Sequence, residues 1–318
     1  MNLYQRSICL VMLLSCMLTC VQAQTGFRVV PLGVKGGMDE RNLSAYMVAP
    51  QGSSDYICLD AGTLYAGIRQ AIHTGSFNVP EATVLRQYIK GYFISHPHLD
   101  HLAGMIINSP EDSAKDIYGL PHCLDIIKEK YFSWKSWANF ADEGEAPLLK
   151  KYHYHPLTPG APAAIAQTDM SVQAFPLSHS APYQSTAFLV RYQDAYLLYL
   201  GDTGADTIEH SDKLRQLWQT VAPLVRSRQL KAIFIEVSFP DEQPQQQLFG
   251  HLTPALLMQE MQTLGSFSGT AALKGLPVVI THIKPAGDNE AAIRRQLTQQ
   301  NNLQLKLIIP EQGKALRF

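Results

Sequence analysis

"SHPHLDHLAGMIINSP", residues 95–110, sets three of the chain's 11 histidines and an aspartate inside residues 96–101, then turns apolar. His96 and His98 are two apart, so an extended or looped backbone turns both to one side. Asp100 and His101 lead into "LAGMIINS", which has the spacing of a short buried helix. A strand-to-helix turn of this kind aims His96/His98 and Asp100/His101 at two neighbouring points. Imidazole nitrogen with carboxylate oxygen suits zinc, manganese or iron better than calcium. One ion takes three or four ligands, so each pair needs a further ligand from elsewhere. His179 in "FPLSHS", Asp202 in "YLGDTG" and His282 in "VITHIKP" are the candidates. Buried together without an ion, the four groups of the cluster would leave several polar interactions unsatisfied. His73, His122, His153, His155 and His210 sit in helical or loop contexts without partners and read as ordinary surface or core residues.

Outward from the cluster, short apolar runs end on residues of the same kind. "YICLDAG" closes on Asp60, "YIKGYFISHPH" on His96, "AYLLYLGDTG" on Asp202, "KAIFIEVS" on Glu236 and "PVVITHIKP" on His282. Runs of this length read as strands buried on both faces. Helix-like patterns lie between them at 64–73, 81–90, 101–108, 122–132, 211–221, 253–264 and 288–299. Strands with interspersed helices give a layered α/β protein. A lone Asp or His at a strand end is usually a turn or cap residue. A series of them beside a histidine cluster instead collects side chains on one rim, where loops build a site on a rigid base. Residues 142–168, rich in Gly and Pro, read as a long connection between two halves.

The N-terminus is set apart. "MNLYQRSICLVMLLSCMLTCVQAQTG" has Arg6, an apolar stretch from about Ile8 to Val21, and Val21-Gln22-Ala23 as a small-residue cleavage pattern. This is the layout of a secretory signal peptide, removed after Ala23, and it predicts a secreted or periplasmic protein. Leu13-Leu14-Ser15-Cys16 leaves a lipid-anchored variant open. Ser15, Thr19 and Gln22 shorten the run below the roughly 20 residues of a spanning helix, so no stable membrane insertion is expected after cleavage. Residues 24–318 then form a single domain, large enough for one core or two fused halves. The chain's formal charge is −1, with no basic excess to hold nucleic acid. Of five cysteines, only Cys58 and Cys123 lie beyond the leader, too few for a disulfide scaffold, and Cys58 reads as a small buried side chain.

H-x-H-x-D-H after an apolar strand, followed by single His, Asp and His residues, resembles the metallo-β-lactamase superfamily. The resemblance covers essentially all of residues 24–318. It implies an αββα sandwich, two mixed sheets flanked by helices, with the site at one edge. It implies two divalent ions, with zinc the expected metal: one held by His96, His98 and His179, the other by Asp100, His101 and His282, with Asp202 bridging. Asp60 matches an aspartate that supports such sites from behind. Within that superfamily "HPHLDHLAGMIINSP" is similar to the signature of class II cyclic-nucleotide phosphodiesterases. "IEVSFP" at 235–240, "GHLTP" at 250–254 and "GVKGGMDERNLSAYMV", with its Gly36-Gly37 turn, are similar to segments of that family.

The implied function is a secreted, dinuclear phosphodiesterase that opens 3′,5′-cyclic nucleotides, a small-molecule substrate, to 5′-monophosphates with a metal-bridging hydroxide. Two divalent ions, two carboxylates and one hydroxide leave a single positive charge, which suits an anionic diester. His251, oriented by Glu236, is the candidate acid for the leaving 3′ oxygen. Asp100 joins these two as a catalytic candidate. "HLTP" also reads as a helix start, with Thr253 as N-cap and Pro254 following. Aromatics within 131–154 line a base pocket or form a core helix. The alternatives are another hydrolase of this fold, acting on a β-lactam, lactone or sulfate ester, and a non-catalytic zinc-binding envelope protein. Against a lactamase, secreted two-metal enzymes of that kind usually carry a cysteine where Asp202 stands.

Overall fold

The computed structural model describes residues 26–318, so the leader read at residues 1–23 lies outside the described residues. β1 (Phe27–Gly33), β2 (Ala45–Pro50), β3 (Tyr56–Leu59), β4 (Ile89–Phe93), β5 (Lys115–Gly119) and β6 (Tyr152–Pro156) lie side by side in chain order. β7 (Ala163–Ala164), β8 (Ser171–Ser178), β9 (Gln184–Tyr192), β10 (Ala195–Leu200), β11 (Leu230–Glu236), β12 (Pro277–Thr281) and β13 (Lys306–Ile308) form a second sheet in the same manner. β14 (Leu316–Arg317) returns to pair antiparallel with β1. Each sheet is antiparallel at one side and parallel at the other: β3 to β6 in the first, β10 to β13 in the second.

The apolar runs are continuous because both strand faces are covered. Along β10 and β11 the side chains alternate. Leu197, Tyr199, Ala232 and Phe234 enter the core between the sheets. Leu198, Leu200, Ile233 and Ile235 pack outward, against helices Lys213–Arg226, Pro254–Ser268 and Asn289–Gln300. Helices Tyr65–His73, Leu99–Asn108 and Pro121–Ile126 cover the first sheet in the same way. Each large apolar side chain fully buried here contributes about 1.5–3 kcal/mol. The result is the αββα sandwich of two mixed sheets expected from the sequence. Among the described residues, no helix is long and apolar enough to cross a membrane.

Several local expectations change. The stretch 142–168 is not loop throughout: it holds β6 and β7, and β6 is an edge strand parallel to β5. Tyr152 and Tyr154 of β6 face inward while His153 is exposed, so its half-polar pattern hid a strand. His153 and His155 are therefore strand residues. The segment 81–90 winds as a helix only to Tyr88, and Ile89 already begins β4. The aromatics of 131–154 divide, and Trp134, Trp137 and Phe140 line one surface pocket. Phe132, Tyr152 and Tyr154 are core, whereas Trp134 and Trp137 are exposed. Cys58 and Cys123 are both buried and unbonded to each other.

One contact fixes the histidine-bearing helix to the sheet. In helix Leu99–Asn108, a β-carbon at Gly104 would come within 2.7 Å of the Ala61 carbonyl oxygen. The Gly104 amide donates to the Gly62 carbonyl at 2.9 Å, and Met105 to Ala61 at 3.2 Å. The bare glycine lets Asp100 and His101 sit against the Asp60 turn. Gly104→Ala is therefore expected to destabilise the fold by about 1–3 kcal/mol through overpacking, despite alanine's better helix propensity. Urea unfolding of the two proteins checks it; an equal or raised midpoint would refute the close-approach account.

Candidate metal and catalytic site

The parallel strands end together, and their carboxyl ends carry the polar residues, the usual seat of a ligand site in α/β sheets. Asp60 follows β3, His96 follows β4, Asp202 follows β10, Glu236 ends β11 and His282 follows β12. His179 follows β8, which runs the same way two strands from β10. Asp60 (φ 54°) and His282 (φ 59°) stand in the left-handed region, which favours glycine. Each such residue costs about 1–3 kcal/mol, held in place by the surrounding fold. Here both turn the chain sharply so that a polar side chain faces the rim.

The structure brings all seven metal candidates together, six of them in two triads. His96, His98 and His179 form one, and Asp100, His101 and His282 the other, each with ligand atoms within 4.8 Å of one another. His96 Nε2 lies 3.1 Å from His98 Nδ1, which lies 3.4 Å from His179 Nε2. Bonds of roughly 2.0–2.1 Å to a tetrahedral ion place neighbouring nitrogens about 3.4 Å apart, so the spacing suits one. Asp202 stands between the triads. Its Oδ2 is 3.8 Å from His96 Nε2 and 3.9 Å from His179 Nε2, while Oδ1 is 3.3 Å from His101 Nε2. Oδ2 also lies 3.3 Å from His282 Nε2.

Other groups fix which nitrogen each ring presents, as in metal sites generally. Ser95 Oγ sits 3.0 Å from His96 Nδ1, and His179 Nδ1 donates to the Gly250 carbonyl at 2.9 Å. Ser238 Oγ lies 3.0 Å from His282 Nδ1. Asp60 is a buried hub: it accepts from the Ser95 amide (2.7 Å), Ser95 Oγ (2.9 Å), Tyr199 Oη (2.6 Å) and His101 Nδ1 (2.7 Å). His101 Nε2 is left buried without a hydrogen-bond partner, aimed at Asp202. The Gly36-Gly37 turn does approach the site. The Gly37 amide donates to Asp100 Oδ2 at 3.1 Å, and a β-carbon on Gly36 would strike the His282 ring at 2.3 Å.

The electrostatics separate the two triads. Burial, reinforced by neighbouring imidazoles, lowers His96 well below the usual histidine range and His98 to about 4. Burial lowers His179 also. These rings are neutral, with lone pairs free for a cation. Around His101 burial opposes charge, yet Asp202, Asp60 and Asp100 hold its proton well above the usual range. Asp202 would be raised by burial, but His101 and His282 depress it well below the usual carboxylate range. Three carboxylates converging on one buried ring form a place for positive charge. The orphaned His101 nitrogen, the bare lone pairs of the first triad and the mixed N/O donor set all fit a pair of divalent ions.

His251 and Glu236 are brought together beside the triads. His251 Nδ1 donates to Glu236 Oε1 at 2.8 Å, leaving Nε2 as the outward nitrogen. Burial opposes its protonation, but the charge and hydrogen bond of Glu236 raise it overall. Glu236 Oε1 also accepts from the Thr203 amide at 2.9 Å, and Oε2 from Ser238 Oγ at 2.5 Å. Thr253 does cap helix Pro254–Ser268. Reading the sequence missed Tyr199, Ser95, Ser238 and Thr203. Ser95, Thr203 and Ser238 lie inside the quoted stretches "SHPHLDHLAGMIINSP", "YLGDTG" and "IEVSFP" but were not singled out. Tyr199 was hidden as one more aromatic in an apolar strand.

A two-sheet sandwich with histidines and aspartates gathered at one edge defines the class: a protein of the metallo-β-lactamase fold. Among solved structures, unliganded yeast PDE1 superposes with a TM-score of 0.82 at 24% identity, over 92% of this chain and 100% of that one. The metallo-beta-lactamase fold protein YhfI of Bacillus subtilis gives 0.63 at 14% identity, over 92% of this chain and 100% of that one. The profile of the family described as cAMP phosphodiesterases class-II matches residues 78–313. A 3′,5′-cyclic-nucleotide phosphodiesterase of Aliivibrio fischeri is 42% identical over 96% of this chain and 98% of its own length. A probable 3′,5′-cyclic-nucleotide phosphodiesterase of Yersinia pestis is 37% identical over 92% of this chain and 89% of its own. The chain belongs to the class-II cyclic-nucleotide phosphodiesterase family, a family of enzymes. The matched span includes every candidate metal residue from His96 to His282.

Proposed function

We propose that this chain hydrolyses 3′,5′-cyclic nucleotides to 5′-monophosphates with two divalent ions, zinc the first choice. The observation that supports this most directly is the position of Asp202, within 4 Å of nitrogens from both triads. His96, His98 and His179 would hold one ion, Asp100, His101 and His282 the other, with Asp202 shared. Bound there, two such ions supply positive charge to the diester and make a water acidic enough to attack phosphorus at neutral pH. The chain's own residues do the rest. Asp60 holds His101 in orientation through Nδ1. Ser238 lies against His282 Nδ1 and donates to Glu236, so one hydroxyl ties the second triad to the acid pair. His251, favoured as the imidazolium by Glu236 at its Nδ1–H, gives its separate Nε2 proton to the departing 3′ oxygen. Export after removal of residues 1–23 would place the reaction outside the cytoplasm.

Product analysis tests the reading. Metal-replete protein incubated with cyclic AMP or cyclic GMP is expected to release the 5′-monophosphate, and a chelator should abolish turnover. Release of a 3′-monophosphate would overturn the leaving-group assignment. Turnover of nitrocefin without turnover of cyclic nucleotide would move the chain to the β-lactam alternative.

A further inference from the structure

Lys284 follows His282 by two residues, just beyond β12. Its amide donates to the Ser238 carbonyl at 3.2 Å, so its backbone is pinned to the residue that touches both His282 and Glu236. The side chain is half-buried. Its ammonium lies over the Phe239 ring, 5.9 Å from the centroid. Phe239 in turn packs edge-on against His251, with centroids 5.8 Å apart. A β-carbon on Gly37 would also sit 3.9 Å from Nζ, and the Gly37 amide is the one that donates to Asp100. The ammonium is thus close to both the loop touching Asp100 and the ring touching His251.

Lys35 and Arg294 both pair with Glu290. Among the described residues, Lys284 has no carboxylate within ion-pair distance, and its ammonium rests on the Phe239 ring. A half-buried ammonium with no carboxylate beside it leaves its charge available to an arriving anion. A cyclic nucleotide brings one negative charge, spread over two non-bridging phosphate oxygens. We propose that Lys284 binds one of those oxygens and selects an anionic diester. This rests on the cyclic-nucleotide reading above. The ammonium acts here as a point charge on phosphate, and the Phe239 face steadies it.

The test compares wild type with Lys284→Met, which keeps the stem without the charge, and Lys284→Arg, which keeps the charge. Calorimetric titration of metal-replete protein with 5′-AMP reads binding without turnover. Lys284→Met is expected to weaken 5′-AMP about tenfold or more, as loss of a charge-assisted contact does, and Lys284→Arg to recover most of it. With cyclic AMP, Lys284→Met should raise KM by a similar factor, hold kcat within about threefold, and flatten the salt dependence of kcat/KM. Melting temperature and bound metal should match wild type. Equal 5′-AMP affinity and equal KM in wild type and Lys284→Met would overturn the proposal, as would a loss confined to kcat. A wild type that binds 5′-AMP through Lys284 yet leaves cyclic nucleotides intact would sink the proposed activity and leave this phosphate contact standing.

Discussion

Asp202→Asn is expected to lower kcat/KM for cyclic AMP by about a thousandfold or more in metal-replete protein. Asn keeps the shape of the side chain, so the fold should survive. What it loses is the negative charge between the two triads, where Oδ1 faces His101 and Oδ2 faces His96, His179 and His282. Charge stabilisation by bound ions supplies several kcal/mol to the transition state, and each factor of ten is about 1.4 kcal/mol. With two ions bound as proposed, losing the shared carboxylate would loosen one and misplace both. Steady-state kinetics with bound metal measured in parallel checks this. A variant with both ions bound and more than about a tenth of wild-type activity would show that Asp202 does not bridge.

Asp60→Ala acts on the frame rather than the reaction. It orphans the Ser95 amide and His101 Nδ1, and leaves the Ser95 and Tyr199 hydroxyls only His96 Nδ1 (3.0 Å) and Ser44 Oγ (3.2 Å), all buried. Each buried donor left unpaired costs about 1–3 kcal/mol, so a loss of about 3–5 kcal/mol is expected, less than the sum because the site relaxes and admits water. Chemical unfolding of metal-free protein isolates this effect from metal binding. Metal affinity should fall also, by about 10–100-fold, since His101 loses the partner that orients it. A stability change under about 1 kcal/mol would mean that the hydrogen bonds to Asp60 are replaceable.

The ends of β3, β4, β10, β11 and β12 were legible in the sequence because each strand is buried on both faces. An apolar run without alternation that closes on Asp, Glu or His marks a buried strand delivering a polar group to the sheet's rim. β6 was not legible: an edge strand with histidines on its open face lacks that signature. The His251–Glu236 pair was marked by resemblance and stands in the structure as a 2.8 Å hydrogen bond. Tyr199 gave no sign, since a strand tyrosine in a core looks like any other aromatic until its hydroxyl finds Asp60, 139 residues away.

The sequence by itself determined the kinds of donor and their place at strand ends, because ligand chemistry and strand burial are properties of residue type and local order. Only the tertiary structure decided which nitrogen each imidazole presents, that Asp202 stands between two triads, and that the Lys284 ammonium lies beside Gly37 and Phe239. Those depend on distances between segments far apart in the chain. Such distances are set by the packing of one sheet on the other, and no local pattern encodes them.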